Sequence, residues 1–493
     1  MKSLLSPGMV KRSLSGHSWL GLLAGALMYL TCLSGTVAVL YIDFERWEQP
    51  AAPEFLTYDS AILERAYAEM LQRGAEDTHH VTFDLPTKEM PRATISTDTR
   101  AWFVNSDGSL SGELRHDWTH MLTDLHNTLH LPYNIGFKVV SLLGALLCGL
   151  IISGFLSHPS IFKEAFSFRR QGSWRLEQVD LHNRLSVWGA PFHLMIAITG
   201  AFFGLTVLFR MVAGVAFLDG DALDAYYKIY GSEPEVVNEE IVPPAISRAV
   251  DQVRERFPET PPYTLTVDHA DEPEAMFMIV GTRHYDRMIR GEQHRFDAAG
   301  NYLGNIGYSD GEPGRQAVNS IYRLHFGSFA GWLVKLLYIG FGLALTVVAA
   351  TGINIWLIRR KTRDYLNNLW VGVIWGAPAA LALTAVAGVL LNLPAAALFW
   401  LALLAALAAM QWLDDETRGK AYLQAVTGGL LAVLVTGHLL RFGDAALGPA
   451  ALGINSGLLG LAILFLFMGV RKLHTLHQTN RKLDVYPSPS LDG

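Results

Sequence analysis

The sequence predicts an α-helical polytopic membrane protein with about eight transmembrane helices and two small exported α+β domains. Hydrophobic residues make up 51% of the 493 positions and charged residues only 17%. The apolar residues gather into long blocks, whereas a water-soluble globule would scatter them along the chain. Two long polar segments separate the first four blocks, and these segments repeat one pattern. Helices therefore cross the membrane, and the polar segments fold outside it.

The transmembrane helices are predicted from the lengths of the apolar runs. A helix needs about 20 apolar residues to cross the hydrocarbon. Eight runs approach or exceed this length: 18–41, 135–157, 188–212, 331–358, 369–392, 395–413, 421–440 and 449–470. The run 395–413 is close to the minimum, and an alternative is that it forms one re-entrant element with a neighbouring run.

The orientation is predicted from the positive charges, which favour the cytoplasmic side. They lie before the first run, between the second and third, after the fourth, between the sixth and seventh, and after the eighth: Lys2, Lys11, Arg12; Lys163, Arg169, Arg170, Arg175, Arg184; Arg359, Arg360, Lys361, Arg363; Arg418, Lys420; Arg471, Lys472, Arg481, Lys482. Both termini are then cytoplasmic, and segments 42–134 and 213–330 are outside. The first run is too long for a signal peptide and is expected to stay as an anchor.

The distribution of charge and of cysteine argues against a nucleic-acid partner and against cysteine-based sites. The net charge of −6 says little about partners, because it averages over two sides of a membrane, but no basic stripe suggests nucleic acid. Both cysteines, Cys32 and Cys148, lie inside apolar runs. The exported segments therefore contain no disulfide framework and no thiolate metal site.

The helical part of the chain repeats. His17 precedes Gly35 by 18 residues, and His182 precedes Gly200 by the same distance. Helix rise makes this about 27 Å, close to the hydrocarbon thickness. The second and fourth runs correspond as well, through His126 or His130, Lys138 and Ser153-Gly154 in one, and His325, Lys335 and Thr351-Gly352 in the other.

The two exported segments repeat one α+β pattern. Each begins with an amphipathic stretch, 59–73 or 244–256, which predicts a helix. Alternating β-type segments follow at 79–84, 91–96 and 100–105, and at 263–268, 275–280 and 293–297. Each then has an Asp-containing turn and a Gly-terminated strand. A helix on a small antiparallel sheet is expected in both.

The chain contains the order helix, small α+β domain, helix twice. In this it resembles the PepSY-associated transmembrane-helix family over about residues 10–360. The resemblance is carried by the His17 and His182 starts, by the exported Asp-containing turns, and by the glycines Gly35, Gly154, Gly200 and Gly352. Members include iron-regulated inner-membrane proteins and siderophore reductases of bacteria, some of which bind haem. Residues 369–470 lie outside the resemblance.

The resemblance implies a domain plan. It consists of a cytoplasmic start and first helix (1–41), a periplasmic PepSY-like domain (42–134), the second helix with a cytoplasmic loop (135–187), the third helix (188–212), a second periplasmic PepSY-like domain (213–330), the fourth helix (331–363), a C-terminal bundle of four helices (364–470) and a cytoplasmic tail (471–493).

The activity that the resemblance implies is that of a haem-containing reductase of the bacterial inner membrane. It would pass electrons across the membrane to a ferric siderophore or another ferric chelate in the periplasm, for iron acquisition. Since the chain has no Gly-x-Gly-x-x-Gly strand–helix motif, no phosphate-binding loop and no His-Glu-x-x-His motif, the electron donor is expected to be a separate protein. The alternatives are a non-redox PepSY protein that regulates a peptidase or senses a ligand, and an iron-chelate permease.

Two molecules of haem b are expected, one near each membrane face. A histidine at a helix start is, taken singly, more often an interfacial polar residue than a ligand. Because the repeat puts His17 and His182 at one depth, and a neutral imidazole is a good axial ligand, they are predicted to hold the inner haem iron. His325, with either His126 or His130, is predicted to hold the outer one. His126 and His130 are four apart on one helical face, so one is the ligand and the other its neighbour.

Further histidines and arginines are weaker candidates. His193, deeper in the third run, is a candidate to replace His182 as ligand, to extend the inner site, or to hydrogen-bond to a neighbouring helix. Arg12, Arg184 and Arg323 lie near the proposed ligands in sequence and are candidates for pairing with haem propionates. His438 has no repeat partner, so a structural role is expected. The spacing predicts no specific role for His79, His80, His269, His284 and His294.

Overall fold

The structure is a computed structural model that describes residues 6–158, 160–166, 173–217, 219–221, 223, 226–227, 231–238, 241–284, 288, 291–307 and 313–485. The chain forms two compact units. The helical unit comprises Met1–Pro50, His116–Ala201 and Leu337–Gly493, and the sheet unit comprises Ala51–Arg115 and Phe202–Leu336. Arg169 and Arg170, two of the charges used to predict orientation, lie outside the described residues, as does Lys2.

The helices, in chain order, are α1 (Pro7–Ala38), α2 (Tyr41–Glu48), α3 (Ala61–Gln72), α4 (Asp117–Thr128), α5 (Tyr133–Ser157), α6 (Ile161–Glu164), α7 (Trp174–Phe217), α8 (Ile246–Arg256), α9 (Pro313–Phe326), α10 (Gly331–Arg359), α11 (Tyr365–Ala385), α12 (Ala395–Leu413), α13 (Glu416–Phe442) and α14 (Pro449–Val485). A π-helical turn, Val386–Leu390, continues α11, and a 3-10 turn, Gly443–Leu447, follows α13.

Eight of the described helices are long and apolar enough to cross a membrane, and each contains or largely overlaps one of the predicted runs. The spans are Pro7–Ala38, Tyr133–Ser157, Trp174–Ala216, Gly331–Arg359, Tyr365–Leu390, Ala395–Leu413, Glu416–Leu447 and Pro449–Gln478. The chain is therefore a multi-pass membrane protein, and these segments lie in the lipid bilayer. The shortest run, 395–413, forms a separate helix of 19 residues.

Several of these helices begin well before their apolar runs. The hydroxyl of Ser6 accepts a hydrogen bond from the amide of Met9, and Pro7 occupies the first turn of α1, which together favour a start there. Helix α7 likewise begins at Trp174. His17 and His182 therefore lie more than two turns inside their helices and not at the helix starts that the apolar pattern predicts.

The helical unit has one continuous apolar core. Helix α1 packs against α4 and α5, α11 packs against α12 and α13, and α13 packs against α14. Small residues permit close approach, as is common between helices in membranes. A Cβ built on Gly428 of α13 would lie 2.7 Å from the amide nitrogen of Leu466 on α14.

Within its described residues, the sheet unit contains one antiparallel sheet of eight strands. The strands are β1 (His80–Asp84), β2 (Ala93–Ser96), β3 (Ala101–Val104), β4 (Leu110–Glu113), β5 (Pro262–Asp268), β6 (Phe277–Thr282), β7 (Glu292–Asp297) and β8 (Tyr302–Gly307). Their spatial order is β4-β3-β2-β1-β5-β6-β7-β8. Each of the segments 42–134 and 213–330 contributes four neighbouring strands, which confirms the repeated strand pattern.

The sequence predicts two separate α+β domains, whereas the structure joins them. Strand β1 pairs along its whole length with β5, from His80 opposite Asp268 to Asp84 opposite Thr264. The apolar sides of α3 and α8 share one core with both halves of the sheet. The physical reason is that pairing β1 with β5 removes two exposed strand edges and their unpaired backbone groups. We call the paired strands β1 and β5 the seam.

Candidate functional site

Two imidazole rings meet inside the helical unit. The centroids of the His17 ring on α1 and the His182 ring on α7 lie 6.3 Å apart, with their planes at 82°. Two imidazoles bound to one metal ion, each through a metal–nitrogen bond of about 2.0 Å, have centroids roughly 6 Å apart. The pairing expected from the repeat is therefore present, at a separation that suits a shared metal.

Hydrogen bonds to α5 orient the His17 ring. Its Nδ1 lies 3.0 Å from the carbonyl oxygen of Leu150 and 3.2 Å from the hydroxyl oxygen of Ser153. Since a carbonyl oxygen only accepts, Nδ1 carries the hydrogen and donates it. In the neutral ring this assigns the lone pair to Nε2, the nitrogen that a metal requires.

The same environment surrounds His182, supplied by α10 instead of α5. The Nδ1 atom lies 3.1 Å from the carbonyl oxygen of Val348 and 3.1 Å from the hydroxyl oxygen of Thr351. Metal-binding histidines commonly donate their second ring N–H to a backbone carbonyl, which sets the tautomer and the ring orientation. Within the described residues, Nε2 of both rings makes no hydrogen bond.

Glycines make room for both rings. A Cβ on Gly154 of α5 would lie 3.3 Å from Cε1 of His17, and a Cβ on Gly352 of α10 would lie 3.4 Å from Cε1 of His182. The Ser153-Gly154 and Thr351-Gly352 pairs are thus contact partners of the histidines: the hydroxyl anchors Nδ1 and the glycine leaves space for the ring.

Both rings line one cavity of about 360 Å³ among α1, α5, α7 and α10, which we call the inner cavity. This volume falls in the usual range for small-molecule and cofactor sites. Its walls are mostly apolar, with Met28, Leu147 and Trp356 among them. Two exposed arginines, Arg175 and Arg359, also line it and are positioned to pair with carboxylates of a ligand.

His193 also lines the inner cavity, but its ring has a structural partner. The residue is buried, with 2% of its surface exposed, and its Nε2 lies 3.2 Å from the carbonyl oxygen of Phe341 on α10. The structure shows the hydrogen bond to a neighbouring helix, and the ring also borders the inner cavity.

The three arginines proposed as propionate partners lie elsewhere in the described structure. Arg12 donates from Nε to the carbonyl oxygen of Gly8, and the Arg184 guanidinium lies over the ring of Trp188. Arg323 belongs to the sheet unit and donates to backbone carbonyls, including that of His284 at 2.8 Å. Closeness in sequence to the histidines does not place these three arginines along the inner cavity. Arg175 and Arg359 replace Arg12 and Arg184 as candidates there.

Among the outer candidates, His126 repeats the pattern of the inner pair. Its Nδ1 lies 2.9 Å from the carbonyl oxygen of Thr31, and a Cβ on Gly35 would collide with its Cε1. Burial lowers the pKa of His126, partly offset by the bond to Thr31, and so favours the neutral ring. A glycine again makes room for a carbonyl-anchored imidazole.

His130 uses both ring nitrogens in hydrogen bonds. Its Nε2 lies 2.8 Å from the carbonyl oxygen of Met121, which makes Nε2 the donor, and its Nδ1 accepts the indole N–H of Trp400 at 3.0 Å. Which of His126 and His130 is the ligand stays a prediction. His325, on α9 of the sheet unit, packs edge-on against Phe203 with centroids 5.2 Å apart, and its proposed role as the second ligand also stays a prediction.

A buried carboxyl group positions the helix that carries His126. Glu48 accepts hydrogen bonds from the amides of Trp118 at 3.1 Å and Thr119 at 2.7 Å, and also from the Thr119 hydroxyl. These amides are in the first turn of α4, where His116 makes no side-chain capping bond. Glu48 thus serves as a distant N-terminal cap of α4.

The residues around the inner cavity fit a haem. Two imidazoles with assigned tautomers, apolar walls and two cationic side chains match the requirements of its iron, its ring and its carboxylates. Fold and site together define a multi-pass α-helical membrane protein with tandem histidine-bearing helix pairs and one extramembrane sheet. The chain belongs to the family described as the PepSY-associated TM region, whose model matches residues 14–359. It is also 28% identical, over 53% of its length and 70% of the relative's, to the uncharacterized protein PA4219 of Pseudomonas aeruginosa.

Sequence reasoning did not assign roles to four residues of this site. Ser153 and Thr351 were recognised only as part of the repeat. Their equal positions before Gly154 and Gly352 were the signal that could have identified them as histidine partners. Arg175 and Arg359 carry no signal that separates them from the other basic residues that set orientation.

Proposed function

We propose that the chain binds haem b in the inner cavity through His17 and His182, and that it serves as an inner-membrane reductase for ferric siderophores or other ferric chelates. The observation that carries this proposal is the 6.3 Å separation of two imidazoles whose Nδ1 atoms are both anchored to backbone carbonyls. A pair of histidines that served only to join helices would have no reason to share one cavity with matched tautomers.

The chain's own residues bind and orient the group. Ser153 and Thr351 keep each ring in place, while the apolar walls exclude water. Arg175 and Arg359 hold carboxylates at the cavity rim. Haem, when bound, supplies a one-electron carrier that alternates between ferric and ferrous states.

Passage across the membrane calls for a second haem, for which the candidates are His325 and either His126 or His130. The Nδ1 atom of His126 is anchored to the carbonyl oxygen of Thr31, as the inner histidines are anchored to theirs. On the basis of the charge distribution, we assign both termini to the cytoplasm and the sheet unit to the periplasm, where it would receive the ferric chelate. The electron donor is then a separate cytoplasmic-side protein or membrane carrier.

An absorption spectrum of the purified protein, expressed with adequate haem, tests the redox proposal against a regulatory protein or a permease. We expect a Soret band with the features of low-spin, two-histidine haem. The absence of any such band would refute the proposal.

Ligand variants then test the site. His17→Ala and His182→Ala should each remove the same inner haem, and His325→Ala the outer one, because loss of one axial ligand leaves the iron weakly held. His17→Met, which supplies a thioether, should retain haem at a raised reduction potential and so controls for misfolding. His474→Ala, an exposed histidine of α14, is the matched control and should change nothing. Full haem content with unchanged spectra in both His17→Ala and His182→Ala would contradict the inner site.

A further inference from the structure

A cluster of histidines and carboxylates lies at one end of the seam, where the two halves of the sheet meet. His79 and His80 come from the first half, and Asp268 and His269 from the second. The ring centroid of His79 is 4.6 Å from that of His80 and 4.6 Å from that of His269. One ligand atom each of His79, His80 and Asp268 lie within 4.8 Å of one another.

The local backbone explains why two consecutive histidines stand side by side. Consecutive residues of a strand point to opposite faces of a sheet. Strand β1 begins only at His80, so His79 lies outside the strand and is free of that alternation. Its carbonyl accepts a hydrogen bond from the amide of Ala270, which draws it toward the second half of the sheet.

The contacts of His80 resemble those of a metal-binding histidine. Its Nδ1 lies 3.1 Å from a carboxylate oxygen of Asp98, and its Nε2 lies 3.6 Å from Oδ1 of Asp268. Two ligands on a tetrahedral Zn²⁺ are roughly 3.3 Å apart, given bonds of about 2.0 Å. A carboxylate behind one ring nitrogen and a ligand beside the other is the arrangement that orients histidines toward metals.

We propose that His79, His80 and Asp268 form a binding site for a divalent transition-metal ion of the Zn²⁺ type, which links the two halves of the sheet. Two imidazoles and one carboxylate suit such an ion, whereas Mg²⁺ and Ca²⁺ prefer oxygen ligands throughout. A second set, His79 with Asp271 and Glu272, shares His79 and has only one imidazole, so it is the weaker choice for this ion.

The site retains an open position. The side chains of His79 and His80 are 37% and 50% exposed, and that of Asp268 is 16% exposed. Three protein ligands with access from solvent leave the fourth position to water or to His269, whose ring adjoins that of His79. The site uses no residue of the inner cavity and does not depend on haem.

Titration calorimetry of the untagged, chelator-treated full-length protein in detergent, with Zn²⁺ as the probe, tests this site. We expect one strong site that millimolar Mg²⁺ or Ca²⁺ does not displace. His79→Gln, His80→Gln and Asp268→Asn should each weaken Zn²⁺ binding at least tenfold, as loss of a ligand or its support does elsewhere. The exposed His474→Ala variant of α14 should bind as the wild type does.

Hydrogen exchange supplies a second measurement that does not rely on titration. If the ion bridges the halves, Zn²⁺ should slow amide exchange at the His80 end of the seam in the wild-type protein and not in His80→Gln. Wild-type affinity in both His79→Gln and His80→Gln, or binding no stronger than that of scattered surface histidines, would overturn the proposal. Haem content serves as an independent readout, since it should stay unchanged in all three variants.

Discussion

Removal of the hydroxyls that anchor the inner histidines, in Ser153→Ala and Thr351→Val, should weaken haem retention without abolishing it. Each Nδ1 has two acceptors, and the carbonyl partner at 3.0 or 3.1 Å remains in both variants. The loss is therefore that of one neutral hydrogen bond, about 0.5–1.5 kcal/mol, or an affinity about two- to tenfold lower. An imidazole that donates less strongly from Nδ1 is also a poorer electron donor, so the reduction potential should rise.

Haem titration of the apoprotein and potentiometry of the loaded protein measure the two effects. Thr346→Val is a matched control, because the Thr346 hydroxyl bonds only within α10, to the carbonyl oxygen of Gly342. Wild-type affinity together with an unchanged potential in both Ser153→Ala and Thr351→Val would show that the hydroxyls serve only their own helices. The reasoning about histidine orientation would then be wrong.

Two more predictions concern stability and topology. Burial raises the pKa of Glu48 to about 7 in spite of its hydrogen bonds, so the folded protein holds a proton there that the unfolded chain loses above pH 4.5. This contribution to stability, up to about 3 kcal/mol, is lost as pH rises from 4.5 to 7. The melting temperature of the wild-type protein should therefore fall over this pH range, and that of Glu48→Gln should fall less. An equal pH profile in both proteins would contradict the prediction. Reporters inserted after Asp107 and Asp297 should both appear outside and one after Arg360 inside, because the seam requires both halves of the sheet on one side. A cytoplasmic signal at Asp107 or Asp297 would break the repeat.

Local patterns in the sequence were sufficient for most elements of the fold. Runs of apolar residues predict the eight spans, and alternation predicts strands such as 263–268, observed as Pro262–Asp268. The predicted helix starts were too late in the chain because polar helical turns precede the apolar run, as in α1. The seam was missed for a different reason: His80 and Asp268 are far apart in sequence, and pairing at that range leaves no periodic signal.

The sequence predicted only those residues of the candidate site that occupy equivalent positions in the two repeats. Equal spacing to Gly35 and Gly200 was enough to pair His17 with His182, because similar helices bring equivalent positions to one depth. Spacing could not choose between His126 and His130, and it gave no sign that His130 contacts Trp400, which lies in a helix outside the repeat. Arg175 and Arg359 were not separable from other basic residues because lining a cavity is a property of the assembled helices.

The seam also bears on how the chain matures during synthesis. Strand β1 is made long before its partner β5, and α4, α5 and α7 must be made in between. Through that interval the first half of the sheet carries an unsatisfied edge, which invites pairing with other chains. A protein interrupted after α7 would be an aggregation hazard rather than a working half, so the two repeats, despite their likeness, are expected to have lost the ability to exist apart.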